Sequence, residues 1–175
     1  MWRTKLFLTL VRASASVDVR ARARLGHVEG ILARRDAGAD VALGSRIARL
    51  GAHIERKPSR HYVGRVFATA ASWVLDLAVY DTQCGAKLFR HTDALDAALA
   101  RPFRSRWSFD VELLGRLLAR GLSVDRIVEV PLAKWVDVAG SKLSFAGATK
   151  AGLELLALGA RVRRRGPEGF FPDGS

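Results

Sequence analysis

The chain has 175 residues, 49% of them apolar and 26% charged, a globular composition that excludes an intrinsically disordered protein. Its formal net charge of +12 suggests an anionic partner, either nucleic acid, a phosphate compound or anionic lipid headgroups, and a coding bias toward Arg and Ala explains the same excess equally well. The single cysteine, Cys84, excludes an intrachain disulfide framework and a metal site made only of cysteines.

Apolar periodicity predicts helices alternating with a few short strands, which is typical of α/β layering and of part of a larger α/β domain. Residues 1–24 form an atypical basic segment, residues 25–162 the main domain and residues 163–175 a flexible tail. The predicted elements are, in chain order, a helix over Leu25–Ala37, a strand over Asp40–Leu43, a polar loop over 47–59, a helix over Arg60–Val79, a turn and strand over Asp81–Phe89, helices over Thr92–Ala100 and Phe109–Ala119, a strand over Val124–Val130, a loop over Val136–Ser144 and a helix over Phe145–Val162.

No apolar run in the sequence reaches the roughly 18–20 residues that a bilayer-spanning helix needs. The longest one, Val66–Tyr80, is interrupted by Asp76. The short apolar stretch Leu6–Val11 lacks the length and the cleavage site of a secretory signal, so we expect no signal peptide.

The segment Asp81–Phe89 concentrates polar groups in one turn beside a strand. Gln83 and Lys87 provide an amide and a cation, and Gly85 allows a ligand to approach the backbone. A solvated turn explains the same residues, so the segment alone leaves both interpretations open.

Two carboxylates, Asp110 and Glu112, stand at the start of the predicted helix Phe109–Ala119. The helix macrodipole favours acidic residues there, which is a sufficient structural explanation. The same position can direct a carboxylate into a cleft, as a general base or as an acceptor for sugar hydroxyls.

Three cations far apart in the sequence, Arg46, Arg60 and Lys142, could together hold phosphate oxygens. Each alone is more commonly a surface residue. The four tryptophans suit a membrane surface, although core packing is the stronger expectation for Trp73 and Trp107.

The order of these segments resembles the C-terminal half of family 2 glycosyltransferases that act on lipid-linked phosphates. It is most similar to the dolichyl-phosphate β-glucosyltransferases, and less so to the dolichyl-phosphate mannosyltransferases. The resemblance covers about Asp40 to Ala160 and depends on five matches: the segment Asp40–Arg46, then Arg60, the segment Asp81–Phe89, the segment Trp107–Leu114 and the segment Gly140–Leu143.

The resemblance implies a partial GT-A fold, the nucleotide-diphospho-sugar transferase fold, with its N-terminal nucleotide-binding strands missing. It implies transfer of a sugar, glucose from UDP-glucose or mannose from GDP-mannose, to dolichyl or another polyprenyl phosphate with inversion. It also implies Mg²⁺ or Mn²⁺ as the metal, and a peripheral position on the cytoplasmic face of a membrane.

By the same resemblance, Arg46, Arg60 and Lys142 would bind acceptor phosphate, and Asp110 would be the catalytic carboxylate. Substrate-binding residues would be Gln83, Gly85, Lys87 and Glu112. The family's Asp-x-Asp metal motif aligns with Asp18-Val19-Arg20, where Asp18 remains a candidate ligand and Arg20 cannot bind a cation.

Two alternatives stay open. One is a truncated and catalytically inactive remnant, or a basic protein that binds a membrane surface or phosphates. The other is a nucleic-acid-binding module, which the net charge alone favours, since the sequence shows no zinc spacing and no ribonucleoprotein motif.

Overall fold

The structure is a computed structural model and describes residues 38–55, 58–136 and 145–172. These residues fall into two compact units, each assembled from separate stretches of chain. Unit 1 comprises the described residues 38–55, 84–91 and 125–136, and unit 2 comprises 58–83, 92–124 and 145–172. The predicted helix Leu25–Ala37 and the atypical segment 1–24 lie outside the described residues.

Unit 1 contains short strands, and unit 2 contains helices, so the α/β class expected from the sequence is confirmed. The described strands are β1 (Val41–Ser45), β2 (His53–Glu55), β3 (Lys87–Phe89), β4 (Ile127–Pro131) and β5 (Lys134–Val136). Strand β1 pairs antiparallel with β3 and parallel with β4. All residues of β1 and β3 are buried, so these two strands form the core of unit 1.

An ion cluster at the start of β1 connects it to both neighbouring strands. Asp40 accepts two hydrogen bonds of 3.0 Å from the guanidinium of Arg126, and the Nε atom of Arg90 lies 2.8 Å from the same carboxylate. The pKa of Arg126 is raised, first by its hydrogen bond to Asp40 and then by the attraction between the two charges. Both effects together outweigh desolvation, which acts in the opposite direction. The strand register in unit 1 is thus reinforced by charge.

Strands β2 and β5 pair in parallel as a second small sheet of unit 1. The sequence assigns residues 47–59 to a polar loop, and β2 corrects that assignment. Its outer residues His53 and Glu55 are exposed. A three-residue strand of this composition depends on its pairing with residues 134–136, which local sequence does not reveal.

The described helices of unit 2 are α1 (Pro58–Leu75), α2 (Asp93–Leu99), α3 (Phe109–Ala119) and α4 (Phe145–Arg165), and a 3₁₀ turn over Gly166–Phe170 follows α4. Thr92 caps α2, as predicted, by accepting a 3.2 Å hydrogen bond from the N–H of Leu95. Helix α3 has its predicted bounds. It ends before Gly121, whose φ of +87° is the left-handed conformation that closes many helices.

The core-facing side of α1 differs from the predicted one. The apolar spacing predicts one stripe, of which Val63 is exposed; the fully buried residues of α1 are Ala68, Ala71 and Leu75. The other predicted members of the stripe are half-buried, namely Phe67, Ala70, Val74 and Leu77. Trp73 of α1 also lies at the surface, with 80% of its area exposed. Trp107, which lies just before α3, is 36% exposed. Core packing was therefore the wrong expectation for both tryptophans. Small residues on the buried side let α1 approach its neighbours closely.

Residues 163–172 are ordered parts of unit 2, whereas the sequence assigns 163–175 to a flexible tail. Helix α4 continues to Arg165, and the following turn delivers Phe170 and Phe171 into the core with 6% and 3% exposed area. Gly115 of α3 makes room for the first ring, because a Cβ atom there would lie 2.2 Å from Phe170. Burial of two aromatic side chains stabilises this end of the chain.

The strand predicted over Val124–Val130 begins only at Ile127, because Val124–Arg126 form a 3₁₀ turn. The structure thus moves the start of this strand by three residues, and its end by one, to Pro131. Among the described residues, no helix is both long enough and apolar enough to span a bilayer.

Candidate functional site

In unit 1, the candidate residues lie where β1 ends. Arg46 follows the last residue of β1, and its guanidinium stacks over the ring of Trp135 at 5.2 Å from the centroid. Arg46 and Trp135 both remain partly accessible to solvent. Stacking on an aromatic face restrains a guanidinium, and arginine binds anions through the N–H groups at its edge.

Lys87 and Gly85 occupy the neighbouring strand and the turn before it. Lys87 is 6% exposed, and its ammonium group donates a hydrogen bond to the carbonyl of Cys84. Gly85 is exposed, and a Cβ atom built on it would meet nothing within 4 Å. A buried cation therefore lies beside an open backbone position.

In unit 2, the residues just before that turn carry donors that the protein leaves unused. Thr82 is 1% exposed and its hydroxyl has no hydrogen-bond partner, and the amide nitrogen of Gln83 is enclosed without an acceptor. Most buried polar atoms in native proteins are paired, so such atoms commonly mark a bound water or ligand. Thr82 therefore joins Gln83 as a candidate, and the substrate role of Gln83 stays a prediction.

Asp110 lies in the first turn of α3 and is 7% exposed. The hydroxyl of the N-cap residue Ser108 donates to the carbonyl of Ala151 and does not cap the helix. Negative charge is favourable at this position, because the N-terminal end of the dipole of α3 is positive. Asp110 can thus serve as a fixed acceptor for hydroxyl groups.

Glu112, two residues later, is fully enclosed in the protein. One oxygen accepts hydrogen bonds from Arg116 at 2.6 Å and from the N–H of Arg104 at 3.2 Å, and the other accepts from the N–H of Ser105 at 2.9 Å. Neither Glu112 nor Arg116 has any exposed side-chain area. The carboxylate is occupied by the protein itself, and we assign Glu112 a structural part in place of the expected substrate contact.

Several predicted site residues fall outside what the structure describes. Asp18, Arg20 and Lys142 belong to undescribed segments, and the side chain of Arg60 is not described although its backbone lies in α1. Within the described ranges, no group of three histidine, cysteine or carboxylate side chains could hold a metal ion. The predicted convergence of Arg46, Arg60 and Lys142 stays a prediction.

Sequence reasoning missed three of the polar residues that the structure singles out, namely Ser45, Thr82 and Arg116. The first two stand out only because their hydroxyls lack partners. Arg116 is fully buried in α3, where an arginine is expected at the surface. The one sign of the ion pair between Glu112 and Arg116 in the sequence is their spacing, because residues three or four apart are neighbours on a helix surface.

Comparison with known proteins gives two curated relatives, both from Trichomonas vaginalis. The chain is 31% identical to dolichyl-phosphate beta-glucosyltransferase ALG5C over 124 residues, which is 70% of this chain and 35% of the relative. It is 34% identical to dolichyl-phosphate beta-glucosyltransferase ALG5D over 85 residues, 49% of this chain and 24% of that relative. The chain thus spans about a third of the length of the first relative and a quarter of the second.

No protein-family model matches the chain, and no solved structure matches it. The two curated similarities support a relationship to glycosyltransferases.

Proposed function

We propose that the chain is part of a glycosyltransferase that moves a hexose from a nucleotide sugar to dolichyl or another polyprenyl phosphate, with inversion at the anomeric carbon. The observation that carries the proposal is the similarity to two dolichyl-phosphate beta-glucosyltransferases, which extends over as many as 124 residues. Glucose from UDP-glucose is the proposed donor, with mannose from GDP-mannose as the second choice.

The charges of the reactants explain the residue types involved. The acceptor is already an anionic phosphate, so its attack requires positioning and charge neutralisation more than proton removal. Arg46 is proposed to bind this phosphate, together with Arg60 and Lys142. Guanidinium groups suit the task because their forked N–H groups match two phosphate oxygens.

The sugar side of the site is assigned to polar groups of the Asp81–Phe89 segment and α3. Gln83, Gly85 and Lys87 are proposed to bind substrate, the glycine by leaving space and the other two by donating hydrogen bonds. Asp110 is proposed to accept hydrogen bonds from the donor sugar, or to act as the base-like carboxylate. Glu112 is left out because Arg116 and two backbone N–H groups occupy its oxygens.

Mg²⁺ or Mn²⁺ remains the metal that the resemblance implies. Bound to a nucleotide diphosphate, such an ion stabilises the departing phosphate charge. The described residues provide no cluster of ligands for it. Asp18, which lies outside them, is the candidate ligand.

A peripheral position on the cytoplasmic face of a membrane is proposed from surface composition. Helix α1 exposes Tyr62, Val66 and Trp73 to 71%, 73% and 80% of their areas, and the chain carries a net charge of +12. Exposed aromatic and aliphatic side chains insert at the headgroup level, and cations attract anionic lipids. The same two features favour the alternative function, a non-catalytic protein that binds membrane surfaces or phosphates.

The test is sugar transfer by the purified chain, joined to the part of the first curated relative that it does not span, from radiolabelled UDP-glucose to dolichyl phosphate in vesicles, with Mg²⁺ or Mn²⁺ added. We expect labelled lipid, and its loss in Asp110→Asn, whose carboxamide is nearly isosteric but uncharged. Binding of phosphate or of vesicles, without sugar transfer in the presence of either metal ion, would support the non-catalytic alternative. An absence of both transfer and binding would contradict the two proposals together.

A further inference from the structure

Ser45, the last residue of β1, has a buried hydroxyl without a partner. The residue has no exposed area, and its Oγ atom makes no hydrogen bond. A buried hydroxyl left unsatisfied destabilises the folded state, and such groups are rare in native proteins. The partner of this hydroxyl therefore comes from outside the protein, as a water molecule or as a ligand.

The strand register shows which residues share the sheet face of Ser45. Leu43 pairs with Lys87, and the hydrogen bond from the N–H of Gly44 to the carbonyl of Ala86, at 2.7 Å, extends the pairing toward the end of β1. Extending the same register past the end of β3 would set Ser45 opposite Gly85. Because side chains alternate between faces, Ser45 and Lys87 lie on the same face of the sheet.

The ammonium group of Lys87 is directed toward the same end of the sheet. It donates to the carbonyl of Cys84, which immediately precedes Gly85 in the turn. An ammonium group has three donors, so it can hold this carbonyl and also donate to a ligand oxygen. Gly85 contributes the space, since a Cβ atom there would meet nothing within 4 Å.

One carboxylate belongs to this face and limits the size of the ligand. The parallel pairing of β1 with β4 sets Glu129 opposite Leu43, on the side away from β3. With β1 between them, the backbones at Glu129 and Lys87 are about 10 Å apart, two strand spacings. A compact anionic group beside Lys87 is therefore favoured over an extended polyanion.

We propose that the Oγ atom of Ser45 and the Nζ atom of Lys87 bind one phosphate group in the space beside Gly85. Phosphate matches both groups, because its oxygens accept hydrogen bonds from a hydroxyl and from an ammonium ion. The phosphate comes from an isoprenoid phosphate or from a nucleotide sugar, and this part of the inference rests on the proposed function. Phosphate binding as such does not depend on it.

The test compares wild type, Ser45→Ala and Gly85→Ala in calorimetric titrations with inorganic phosphate, a short isoprenoid phosphate and UDP-glucose. Since the Ser45 hydroxyl has no protein partner, we expect S45A to unfold at the same or higher urea concentration than wild type. We expect its phosphate affinity to fall about tenfold, as for a lost hydrogen bond to a charged group. G85A should fold and bind phosphate more weakly, because the new methyl group occupies the ligand's space.

Thr69→Ala is the matched control, because it removes a hydroxyl of unit 2 that donates to the carbonyl of Arg65. It should leave phosphate binding unchanged. A lower unfolding midpoint for S45A with unchanged phosphate affinity would overturn the inference, by showing that the hydroxyl is structural. Weak wild-type binding that neither S45A nor G85A alters would overturn it as well.

The ligand series separates this inference from the proposed function. Weakened phosphate binding in S45A, in a chain that transfers no sugar, would support the inference while the proposed function fails. Sugar transfer by S45A at the wild-type rate, with unchanged affinity for all three ligands, would overturn the inference and leave the proposed function intact. Tighter binding of the isoprenoid phosphate or of UDP-glucose identifies which of the two sources supplies the phosphate.

Discussion

Arg116 donates a 2.6 Å hydrogen bond to Glu112 from a position where neither side chain reaches solvent. The other guanidinium donors of Arg116 bind four backbone carbonyls, those of Ala98, Arg101, Pro102 and Phe170. All five N–H groups are thereby used, and the rings of Phe103 and Phe171 lie against the guanidinium. The pair holds the loop before α3 and the end of the chain onto one helix.

Replacement of Arg116 by Met should destabilise the protein by about 3–5 kcal/mol, because it leaves the Glu112 carboxylate buried without its counter-charge. The double variant Glu112→Leu with Arg116→Met should be less destabilised than R116M, since no buried charge remains. Urea unfolding curves of both variants measure the difference. A double variant that is as unstable as R116M, or more so, would contradict this account of the pair.

Gly115→Ala should destabilise unit 2 by about 1–3 kcal/mol, the usual effect of overpacking. The added Cβ atom would lie 2.2 Å from the ring of Phe170, which is itself enclosed. Gly152→Ala in α4 is the matched control, because its Cβ atom would meet nothing within 4 Å. G152A should stabilise the protein by up to about 1 kcal/mol through helix propensity. Thermal unfolding of the two variants should shift in opposite directions.

Phe171→Ala should cost about 3 kcal/mol, because the ring is 3% exposed and stacks against two guanidinium groups, those of Arg116 and Arg120. Phe171→Leu keeps most of the apolar volume and should cost less than about 1.5 kcal/mol. Unfolding in guanidinium chloride measures the stability of F171A and F171L against wild type. If F171A were as stable as wild type, the chain end would indeed be the flexible tail that the sequence predicts.

Trp73→Ala should leave stability within about 0.5 kcal/mol of wild type, since the ring is 80% exposed. Binding to anionic vesicles should nevertheless weaken, because the ring contributes apolar area at the headgroup level. Val124→Ala, which trims an exposed apolar residue outside α1, is the control and should bind like wild type. Co-sedimentation at rising salt measures both, and the binding should weaken as screening increases. Equal losses in the two variants would argue against α1 as the contact surface.

Elements with strong local signals were predictable from the sequence. Helix α3 was predicted with its correct bounds, because an apolar run precedes Gly121, and the Thr92 cap was predicted from residue type and position. Strand β2 was missed because its pairing with β5 joins residues about eighty positions apart. The burial of Phe170 was missed for a related reason, since it depends on the missing side chain of Gly115.

The candidate site was predictable to a similar degree. Arg46 and Lys87 stand out in the sequence because cations next to strand ends commonly bind anions. Ser45 does not stand out, because only three-dimensional packing shows that its hydroxyl lacks a partner. Glu112 looked available for a substrate until its ion pair with Arg116 was visible. The sequence pattern identifies side chains that could bind a substrate. The structure shows which of these side chains already form hydrogen bonds or ion pairs within the protein.

The interleaving of the two units along the chain has a consequence for biosynthesis. Unit 1 draws its last described strand from residues 134–136, and unit 2 requires the phenylalanines at 170 and 171. Neither unit can be completed until all of its segments have left the ribosome, so unit 1 requires residues up to 136 and unit 2 requires the phenylalanine at 171. We expect nascent chains stalled before residue 127 to lack β4, the parallel partner of β1, and to bind chaperones more than the full chain does.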